Sequence, residues 1–144
     1  MPDPAPYDHI AVCIDDSEPS QLALAEGRRL FELGASRLRV VHVVQSPLVF
    51  AGGWGGWVPD PDQLTEGARI WLQEQVKDID RADPVLLEGY PPATVADWAK
   101  VEGVDLLIAA AHRGVVQRAL LGSFAAYLAH HAPCPVLLVR PAEA

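Results

Sequence analysis

Lysine is nearly absent from this chain, and basic side chains of either kind are few. Lys77 and Lys100 are its two lysines, and 11 Lys and Arg residues stand against 19 Asp and Glu residues, for a formal net charge of −8. Proteins that bind nucleic acid or anionic membranes neutralise phosphate groups with basic side chains and carry the opposite balance. The composition therefore argues against a nucleic-acid partner and against a membrane partner.

Cysteine and long apolar runs are also scarce. Cys13 and Cys134 form neither a Cys-x-x-Cys pair nor a zinc-type spacing, so we expect two buried, reduced thiols. The apolar run at residues 106–111 has about six residues, whereas a membrane helix needs about 20. Residues 1–6 are acidic and rich in proline, unlike a secretory signal peptide. We expect a flexible terminus over residues 1–6 and a cytoplasmic protein.

Five apolar segments predict strands, and segments with helical spacing separate them. The predicted strands span residues 10–14, 38–44, 85–87, 105–111 and 136–139. The first and fourth are apolar on both faces, as in a parallel sheet that helices cover on both sides. Residues 1–144 are therefore predicted to form one α/β domain with a doubly wound, five-stranded parallel sheet.

Serine and proline mark the predicted helix starts. Ser17 and Ser123 are expected to cap the first and last helices, and Pro91 opens the third. Residues 46–61 are rich in glycine and tryptophan and predict a loop. Its Trp54 and Trp57 are interpreted either as a lid over a ligand or as part of a partner surface.

Two features fall where strands end, which is where sheets of this kind bind ligands. Asp15 and Asp16 follow the first strand, and residues 111–123 follow the fourth. Glycines in that second segment let backbone N–H groups approach an anion, and the helix that starts at Ser123 adds its dipole. An ordinary loop before a capped helix has the same pattern, so both interpretations stay open.

Paired acids after a strand also suggest a phosphotransfer receiver with Mg²⁺ at Asp15 and Asp16. That site needs an aspartate after the third strand and a lysine after the fifth. The third strand ends in Glu88 and Gly89, and no lysine follows Lys100. The receiver is therefore excluded, and Asp15 with Asp16 remains as a weak metal candidate.

The histidines suggest no catalytic centre. His42 lies among valines, where a hydrogen-bonded core histidine is expected. His112 is interpreted either as a contact to ribose or phosphate or as a plain loop residue. His130 and His131 are adjacent, so on a helix they point in different directions. Nothing resembles a nucleophile elbow, and we expect a protein that is not an enzyme.

Several longer segments resemble one known family. They are Leu-Leu-Gly-Ser-Phe at 120–124, Ala-His-His-Ala-Pro-Cys-Pro-Val-Leu-Leu-Val-Arg at 129–140, His-Ile-Ala-Val-Cys-Ile-Asp-Asp-Ser-Glu-Pro-Ser at 9–20, Glu-Gly-Tyr-Pro at 88–91 and Gly-Val-Asp-Leu-Leu-Ile at 103–108. In these segments the chain is similar to the universal stress protein family. The resemblance implies a Rossmann-like domain of the adenine-nucleotide alpha hydrolase-like type, usually a homodimer, of which one branch binds ATP or AMP.

The resemblance also implies which residues would hold a nucleotide. Asp15 would lie beside the adenosine, and Val43 would line the adenine pocket. The loop that would hold the phosphates comprises Ala111, His112, Arg113, Gly114, Gly122, Ser123 and Phe124. Mg²⁺ would accompany ATP. The protein would be at most a slow ATPase, since no catalytic base and no metal-ligand set beyond Asp15 and Asp16 is visible.

This sequence departs from the nucleotide-binding motif Gly-x2-Gly-x9-Gly-Ser/Thr. Ala111 replaces the first glycine, seven residues instead of nine separate Gly114 from Gly122, and Ala125 stands where binders often have a hydroxyl. Two functions therefore stay open: a stress-response regulatory module that binds ATP or AMP, and a homodimeric interaction protein without a nucleotide.

The resemblance further implies how a homodimer would form. The strand at residues 136–139, Val136, Leu137, Leu138 and Val139, is expected at the edge of the sheet, where apolar strands pair with other chains. In the family this strand pairs antiparallel across a two-fold axis.

Overall fold

The computed structural model describes residues 4–45, 61–111 and 122–141, and strands alternate with helices throughout these ranges. The elements are β1 (His9–Cys13), α1 (Glu18–Phe31), β2 (Arg37–Val44), α2 (Pro61–Val76), β3 (Ala82–Glu88), α3 (Pro91–Glu102), β4 (Leu106–Ala110), α4 (Ser123–His131) and β5 (Val136–Val139). None of the helices in these ranges is long and apolar enough to cross a bilayer. Residues 1–3 of the predicted flexible terminus and residues 46–60 of the predicted Gly/Trp loop lie outside the described residues.

The five strands form one parallel sheet in the order β3-β2-β1-β4-β5. The chain moves outward from β1 through β2 to β3 and then crosses to β4 on the other side of β1. This arrangement confirms the predicted doubly wound α/β fold. The strand order reverses between β1 and β4, and such a reversal is where open α/β sheets bind their ligands.

Strand β1 lies at the centre of the core, and all five of its residues are buried. Ile10 and Val12 belong to a cluster with side chains of α1 and α2, whereas Ala11 and Cys13 belong to a second cluster with α3 and α4. Alternate residues of a strand point to opposite faces of the sheet. The uninterrupted apolar run of β1 is therefore what a strand covered on both faces requires.

Asp105 joins the beginning of β1 to the beginning of β4. Its carboxylate accepts hydrogen bonds from the backbone N–H groups of Asp8, at 2.9 Å, and His9, at 3.0 Å. Gly103 ends α3 in the left-handed region, with φ of 70°, and turns the chain toward this contact. The Gly-Val-Asp sequence before β4 thus fixes the two central strands at their amino ends.

Strand β3 is longer than the sequence predicts. It extends from Ala82 to Glu88 and pairs with β2 along this length, although Pro84 lies within it. The prediction of a short strand at 85–87 was wrong because Asp83 and Pro84 disfavour strands in general. An edge strand tolerates a proline, and β3 is an edge of the sheet. The other four strands begin and end within one residue of their predicted bounds.

The two cysteines differ in burial. Cys13 is buried as predicted, and burial raises the pKa of its thiol to about 12. Cys134 is half-buried, so the prediction of a buried thiol was wrong for this residue, although partial burial still raises its pKa. The tryptophans Trp71 and Trp98 pack against the two core clusters.

Gly27 allows α1 to lie close to β1. A Cβ atom at this position would come within 2.2 Å of Cγ2 of Val12, a fully buried side chain that is stiff at χ1. Gly67 also lies inside a helix, α2, but a Cβ atom there would meet no atom within 4 Å. The two positions therefore form a matched pair.

We predict opposite effects of the same substitution at these two glycines. Gly27→Ala pushes α1 away from β1 and should lower the free energy of unfolding by about 1–3 kcal/mol. Gly67→Ala reduces the entropy of the unfolded chain and should raise it by about 0.5–1 kcal/mol. Urea unfolding followed by circular dichroism measures both values, and equal effects at the two positions would contradict the close packing at Gly27.

Candidate functional site

A cavity of about 380 Å³ opens at the carboxyl ends of β1, β2 and β4. It lies at the reversal of strand order between β1 and β4. Its volume falls within the range of about 300–1,000 Å³ that is typical of small-molecule sites. The beginnings of α1, α3 and α4 complete its wall, so residues distant in sequence converge on one space.

The described residues that line the cavity lie at or near strand ends and helix starts. They are Cys13, Ile14 and Asp15 from β1 and its end, Ser20 of α1, Val41, His42, Val43 and Gln45 from β2 and its end, Tyr90, Pro91, Pro92 and Val95 at the start of α3, Ala109 and Ala110 of β4, and Ser123 and Phe124 of α4. Four of the predicted nucleotide-binding residues thus line the cavity: Asp15, Val43, Ser123 and Phe124.

Asp15 is held by reciprocal hydrogen bonds with Ser20. The N–H of Asp15 donates to Ser20 Oγ at 2.9 Å, and the Ser20 hydroxyl donates back to Asp15 Oδ1 at 2.8 Å. Oδ1 also accepts a hydrogen bond from the backbone N–H of Ser17 at 2.8 Å. Because Ser20 is buried, water competes little for these bonds, and the carboxylate of Asp15 has a defined place at the cavity.

The start of α1 differs from the sequence prediction. Ser17 occupies the N-cap position, but its hydroxyl makes no capping hydrogen bond. Its Oγ is buried without a hydrogen-bond partner among the described residues. The prediction that the Ser17 hydroxyl caps α1 was wrong. An N-cap oxygen accepts from the N–H of the second or third helical residue, and the second residue of α1, Pro19, has no N–H.

His42 connects β2 to the end of β1. Its Nδ1 lies 2.8 Å from the carbonyl oxygen of Ile14, and since a carbonyl oxygen only accepts, Nδ1 carries the hydrogen. The imidazole meets Trp71 of α2 edge-on, with 4.8 Å between ring centroids and 61° between ring planes. The predicted hydrogen bond is confirmed, but His42 is half-buried beside the cavity instead of lying in the core.

The helix starts of α3 and α4 give the cavity two chemically different ends. Pro91 and Pro92 begin α3 and have no N–H groups, so this end presents apolar rings. In α4 the first hydrogen bond is donated by the Ala126 N–H to the carbonyl of Gly122, at 3.0 Å. Helix geometry therefore leaves the preceding N–H groups without acceptors inside the helix, and together with the helix dipole they favour an anion.

Gly122 is the N-cap of α4, and Ser123 is the first helical residue. The prediction that Ser123 caps this helix was therefore wrong. Gly122 has φ of 81° and ψ of 151°, a backbone region that is essentially restricted to glycine. Helix α4 therefore begins after the special backbone conformation of Gly122, without a capping side chain.

Asp15 and Asp16, the weak metal candidate of the sequence, do not both lie at the cavity. Asp15 lines the cavity, whereas Asp16 is exposed and is not part of the described lining. Within residues 4–45, 61–111 and 122–141, no group of three or more His, Cys, Asp or Glu side chains has a metal-binding arrangement. The acidic pair thus contributes one carboxylate to the cavity.

Comparison with known proteins identifies the family. The sequence model of the universal stress protein family matches residues 6–140. This chain belongs to the universal stress protein family. It is 26% identical to universal stress protein YxiE of Bacillus subtilis over 93% of this chain and 99% of that protein. A universal stress protein of Thermus aquaticus is 29% identical over 91% of this chain and 97% of its own length.

Some relatives are longer than this universal stress protein. A universal stress protein of Mycobacterium tuberculosis is 26% identical over 100% of this chain, which covers 52% of that relative. The chain therefore spans about half the length of its mycobacterial relatives.

Solved structures support the same fold. The hypothetical protein MJ0577 has a TM-score of 0.79 and 24% identity, over 96% of this chain and 99% of that one. A universal stress protein in complex with cAMP has a TM-score of 0.70 and 19% identity, covering 92% and 97% of the two chains. The universal stress protein of Archaeoglobus fulgidus in complex with dAMP has a TM-score of 0.64 and 20% identity, covering 92% and 98%.

Ala111, which the family resemblance matches to the first glycine of the nucleotide-binding motif, occupies its position without strain. It is buried, and its N–H donates to the carbonyl of Val139 at 2.9 Å. Among the non-glycine residues that the structure describes, Arg81 alone has a positive φ. Ala111 therefore keeps a backbone conformation that alanine adopts freely, and glycine is not required there.

The rest of the predicted phosphate loop cannot be placed in the same way. His112, Arg113, Gly114 and residues 115–121 lie outside the described residues. Of the predicted loop, the structure describes Ala111 directly after the cavity-lining Ala110, and Gly122 directly before the cavity-lining Ser123.

Sequence reasoning did not assign several cavity residues to the site. The sequence predicts only a helix start around Ser20, a core residue at His42 and the opening of a helix at Pro91. The signal that could have found them is the rule that ligands bind at the carboxyl ends of strands. Applied to the ends of β2 and β3 as well as β1 and β4, this rule includes His42 and Pro91.

We predict that Gly122→Ala lowers the free energy of unfolding by about 1–3 kcal/mol, because alanine is strained at this backbone conformation. Ser123→Ala should change it by less than about 0.5 kcal/mol, since Ser123 is the first helical residue and not the N-cap. Urea unfolding of the two variants gives both values. A loss of about 1 kcal/mol or more in Ser123→Ala would show that serine is the cap after all.

Proposed function

We propose that this universal stress protein is a stress-response regulatory module that binds an adenine nucleotide, ATP or AMP, in the cavity at the carboxyl ends of β1, β2 and β4. The observation that carries the proposal is the difference between the two ends of the cavity. Val43 and the proline rings of α3 suit a flat apolar base, and the N–H groups that begin α4 suit phosphate. Family members with this fold in complex with cAMP and with dAMP support an adenylate as ligand.

The charges of the lining support one orientation of the nucleotide. Asp15 is the only Asp, Glu, Lys or Arg among the described lining residues. A carboxylate accepts hydrogen bonds and repels phosphate, so Asp15 suits the hydroxyl groups of the ribose. The adenosine would lie along Asp15 and Val43, and the phosphates would point toward Gly122, Ser123 and Phe124.

The remaining loop residues complete the proposed site. Ala111 continues β4 toward His112, Arg113 and Gly114, which we propose as further phosphate contacts. In an acidic chain, backbone N–H groups bind phosphate without requiring lysine. Mg²⁺ would enter with ATP and bind its phosphate oxygens.

We propose binding without appreciable catalysis. Cys13 lines the cavity, but its thiol stays protonated because burial raises its pKa to about 12, so it is not a nucleophile at neutral pH. The carboxylate of Asp15 is engaged with Ser17 and Ser20 through Oδ1. These observations support a regulatory module whose hydrolysis of ATP, where it occurs, is slow.

The second candidate is a homodimeric interaction protein of the same fold without a nucleotide. The observation that favours it is the shortened motif, with seven residues between Gly114 and Gly122. Dimerisation itself is compatible with both candidates. β5 pairs with β4 on one side and forms an edge of the described sheet on the other, where an apolar strand can pair with a second copy.

Isothermal titration with AMP and with ATP, in the presence and absence of Mg²⁺, tests nucleotide binding. We expect saturable binding of both, with Mg²⁺ affecting ATP alone. Nucleotide that co-purifies with the protein would appear as absorbance near 260 nm after denaturation. No binding at millimolar nucleotide would reject the first candidate and leave the interaction protein.

Ser123→Asp tests the proposed position of the phosphates. An acidic residue in the first turn favours the helix dipole, so α4 should keep its stability. The added charge repels phosphate, so affinity for AMP should fall by about tenfold while affinity for adenosine changes little. Ser123→Ala is the control without charge, and an equal loss for AMP and adenosine in Ser123→Asp would contradict this placement.

The edge of β5 offers a second matched pair of variants. The carbonyls of Pro135 and Val139 accept hydrogen bonds from Leu107 and Ala111, so alternate residues of β5 face β4. By this alternation the N–H of Leu137 points toward β4, whereas that of Leu138 points to the open edge.

We predict that Leu138→Pro yields a folded monomer, because it removes a donor from the open edge alone. Leu137→Pro breaks the ladder to β4 and should unfold the protein at lower urea. Light scattering at micromolar concentration gives the mass of each, with circular dichroism as the check of folding. A monomeric unsubstituted protein would reject the dimer.

A further inference from the structure

The peptide group between Ile14 and Asp15 is held at both of its polar atoms. Its carbonyl oxygen accepts a hydrogen bond from His42 Nδ1 at 2.8 Å, and its N–H donates to Ser20 Oγ at 2.9 Å. Rotation of this peptide would break one bond or both. The orientation of the Asp15 carboxylate is therefore fixed by two side chains from other elements, His42 of β2 and Ser20 of α1.

The sheet register explains why His42 is the residue that reaches this carbonyl. Cys13 pairs with Val41, and the N–H of Ile14 extends the ladder by donating to the carbonyl of Val41 at 2.8 Å. Ile14 therefore lies beside His42, one residue beyond the end of β1.

The carbonyl of Ile14 needs a partner that the sheet does not supply. Ile14 lies beyond Cys13 and Val41, the last paired residues of β1 and β2, and no backbone N–H among the described residues donates to its carbonyl. Ile14 is only 4% exposed, and a carbonyl buried to that degree is costly unless it accepts a hydrogen bond. His42 meets this requirement from the neighbouring strand.

The imidazole of His42 is itself fixed. Its edge-on contact with Trp71 of α2 supports the ring from one side, and the bond to Ile14 determines which nitrogen carries the hydrogen. Trp71 packs against the core cluster between the sheet and helices α1 and α2, so the support belongs to a rigid part of the molecule. Because the ring of His42 is fixed, its hydrogen bond also fixes the peptide group that precedes Asp15.

We propose that His42 is a positioning residue for the nucleotide and that it acts through Asp15. By fixing the carbonyl of Ile14, His42 orients the Asp15 carboxylate toward the hydrogen-bond donors of the adenosine. The inference rests on the proposed nucleotide binding and extends it by assigning a role in affinity to a histidine of β2. Ser20 completes the arrangement from α1, through the N–H and Oδ1 of Asp15.

Two substitutions at His42 separate the hydrogen bond from the bulk of the ring. In His42→Asn the side-chain amide nitrogen lies about where Nδ1 lies, so the bond to Ile14 is retained. His42→Leu keeps apolar bulk next to Trp71 but has no donor. We expect affinity for AMP within about twofold of the unsubstituted protein for His42→Asn, and about tenfold weaker for His42→Leu.

Trp71→Leu is the control for packing. It removes the ring contact and leaves the donor of His42 in place. If His42 served only to pack against α2, Trp71→Leu and His42→Leu would weaken AMP binding alike, and His42→Asn would not restore it. Thermal unfolding of each variant shows whether the fold persists at the titration temperature.

A double-mutant cycle with Asp15→Asn decides whether His42 acts through Asp15. Asp15→Asn keeps an oxygen for the Ser17 and Ser20 hydrogen bonds and should weaken AMP binding by about tenfold. In that background, His42→Leu should cost less than about twofold, because the carboxylate it positions is gone. If His42→Leu still weakened AMP binding by about tenfold in the Asp15→Asn background, that result would overturn the proposal.

The outcomes distinguish this inference from the function on which it rests. An unsubstituted protein that fails to bind AMP rejects nucleotide binding, and the role of His42 falls with it. An unsubstituted protein that binds AMP, with His42→Leu binding equally well, rejects the role of His42 alone.

Discussion

The parallel pairing of β1 with β4 is the constraint on which the rest of the structure depends. Both strands are buried along their whole length, so they must occupy the centre of the sheet with helices on each face. Asp105 fixes their amino ends through the N–H groups of Asp8 and His9. After its carboxyl end, β1 is followed by β2 on one side of the sheet, whereas β4 is followed by β5 on the other side. The cavity lies between the two connections that follow β1 and β4.

The sequence predicts the fold well because the fold follows from repeated local patterns. Apolar runs and helical spacing predict five strands and four helices in their correct order, and alternation of this kind has few topological solutions. The errors lie where tertiary position overrides local preference. Pro84 is compatible with a strand only because β3 is an edge, and Ser123 resembles a cap although Gly122 serves as one.

The site is less predictable than the fold because it depends on register and on contacts between elements. Asp15 and Val43 can be singled out in the sequence, the first by position at a strand end and the second by family resemblance. The hydrogen bond of His42 to Ile14 follows from the pairing of Cys13 with Val41, and a shift of one residue would send the His42 side chain to the other face. No local pattern around His42 specifies that pairing, so its neighbours predict only a core residue.

The charge of the chain, −8, has a specific consequence at the cavity. Two unit negative charges 4 Å apart repel by about 4 kcal/mol at an effective dielectric constant of about 20. A helix N-terminus stabilises an anion by only about 0.3–1 kcal/mol when exposed, and up to about 2 kcal/mol when partly buried. The repulsion between Asp15 and a phosphate beside it would therefore exceed the stabilisation that the start of α4 gives to the phosphate.

Only an orientation that separates the phosphate from Asp15 is favourable, with the carboxylate toward the sugar and the phosphate toward α4. Such a site depends on two backbone geometries more than on net charge. One is the peptide before Asp15, which His42 and Ser20 hold, and the other is the entry to α4 at Gly122. In the proposed site, the backbone and not a basic side chain would meet the anion, so an acidic chain with few lysines is compatible with nucleotide binding.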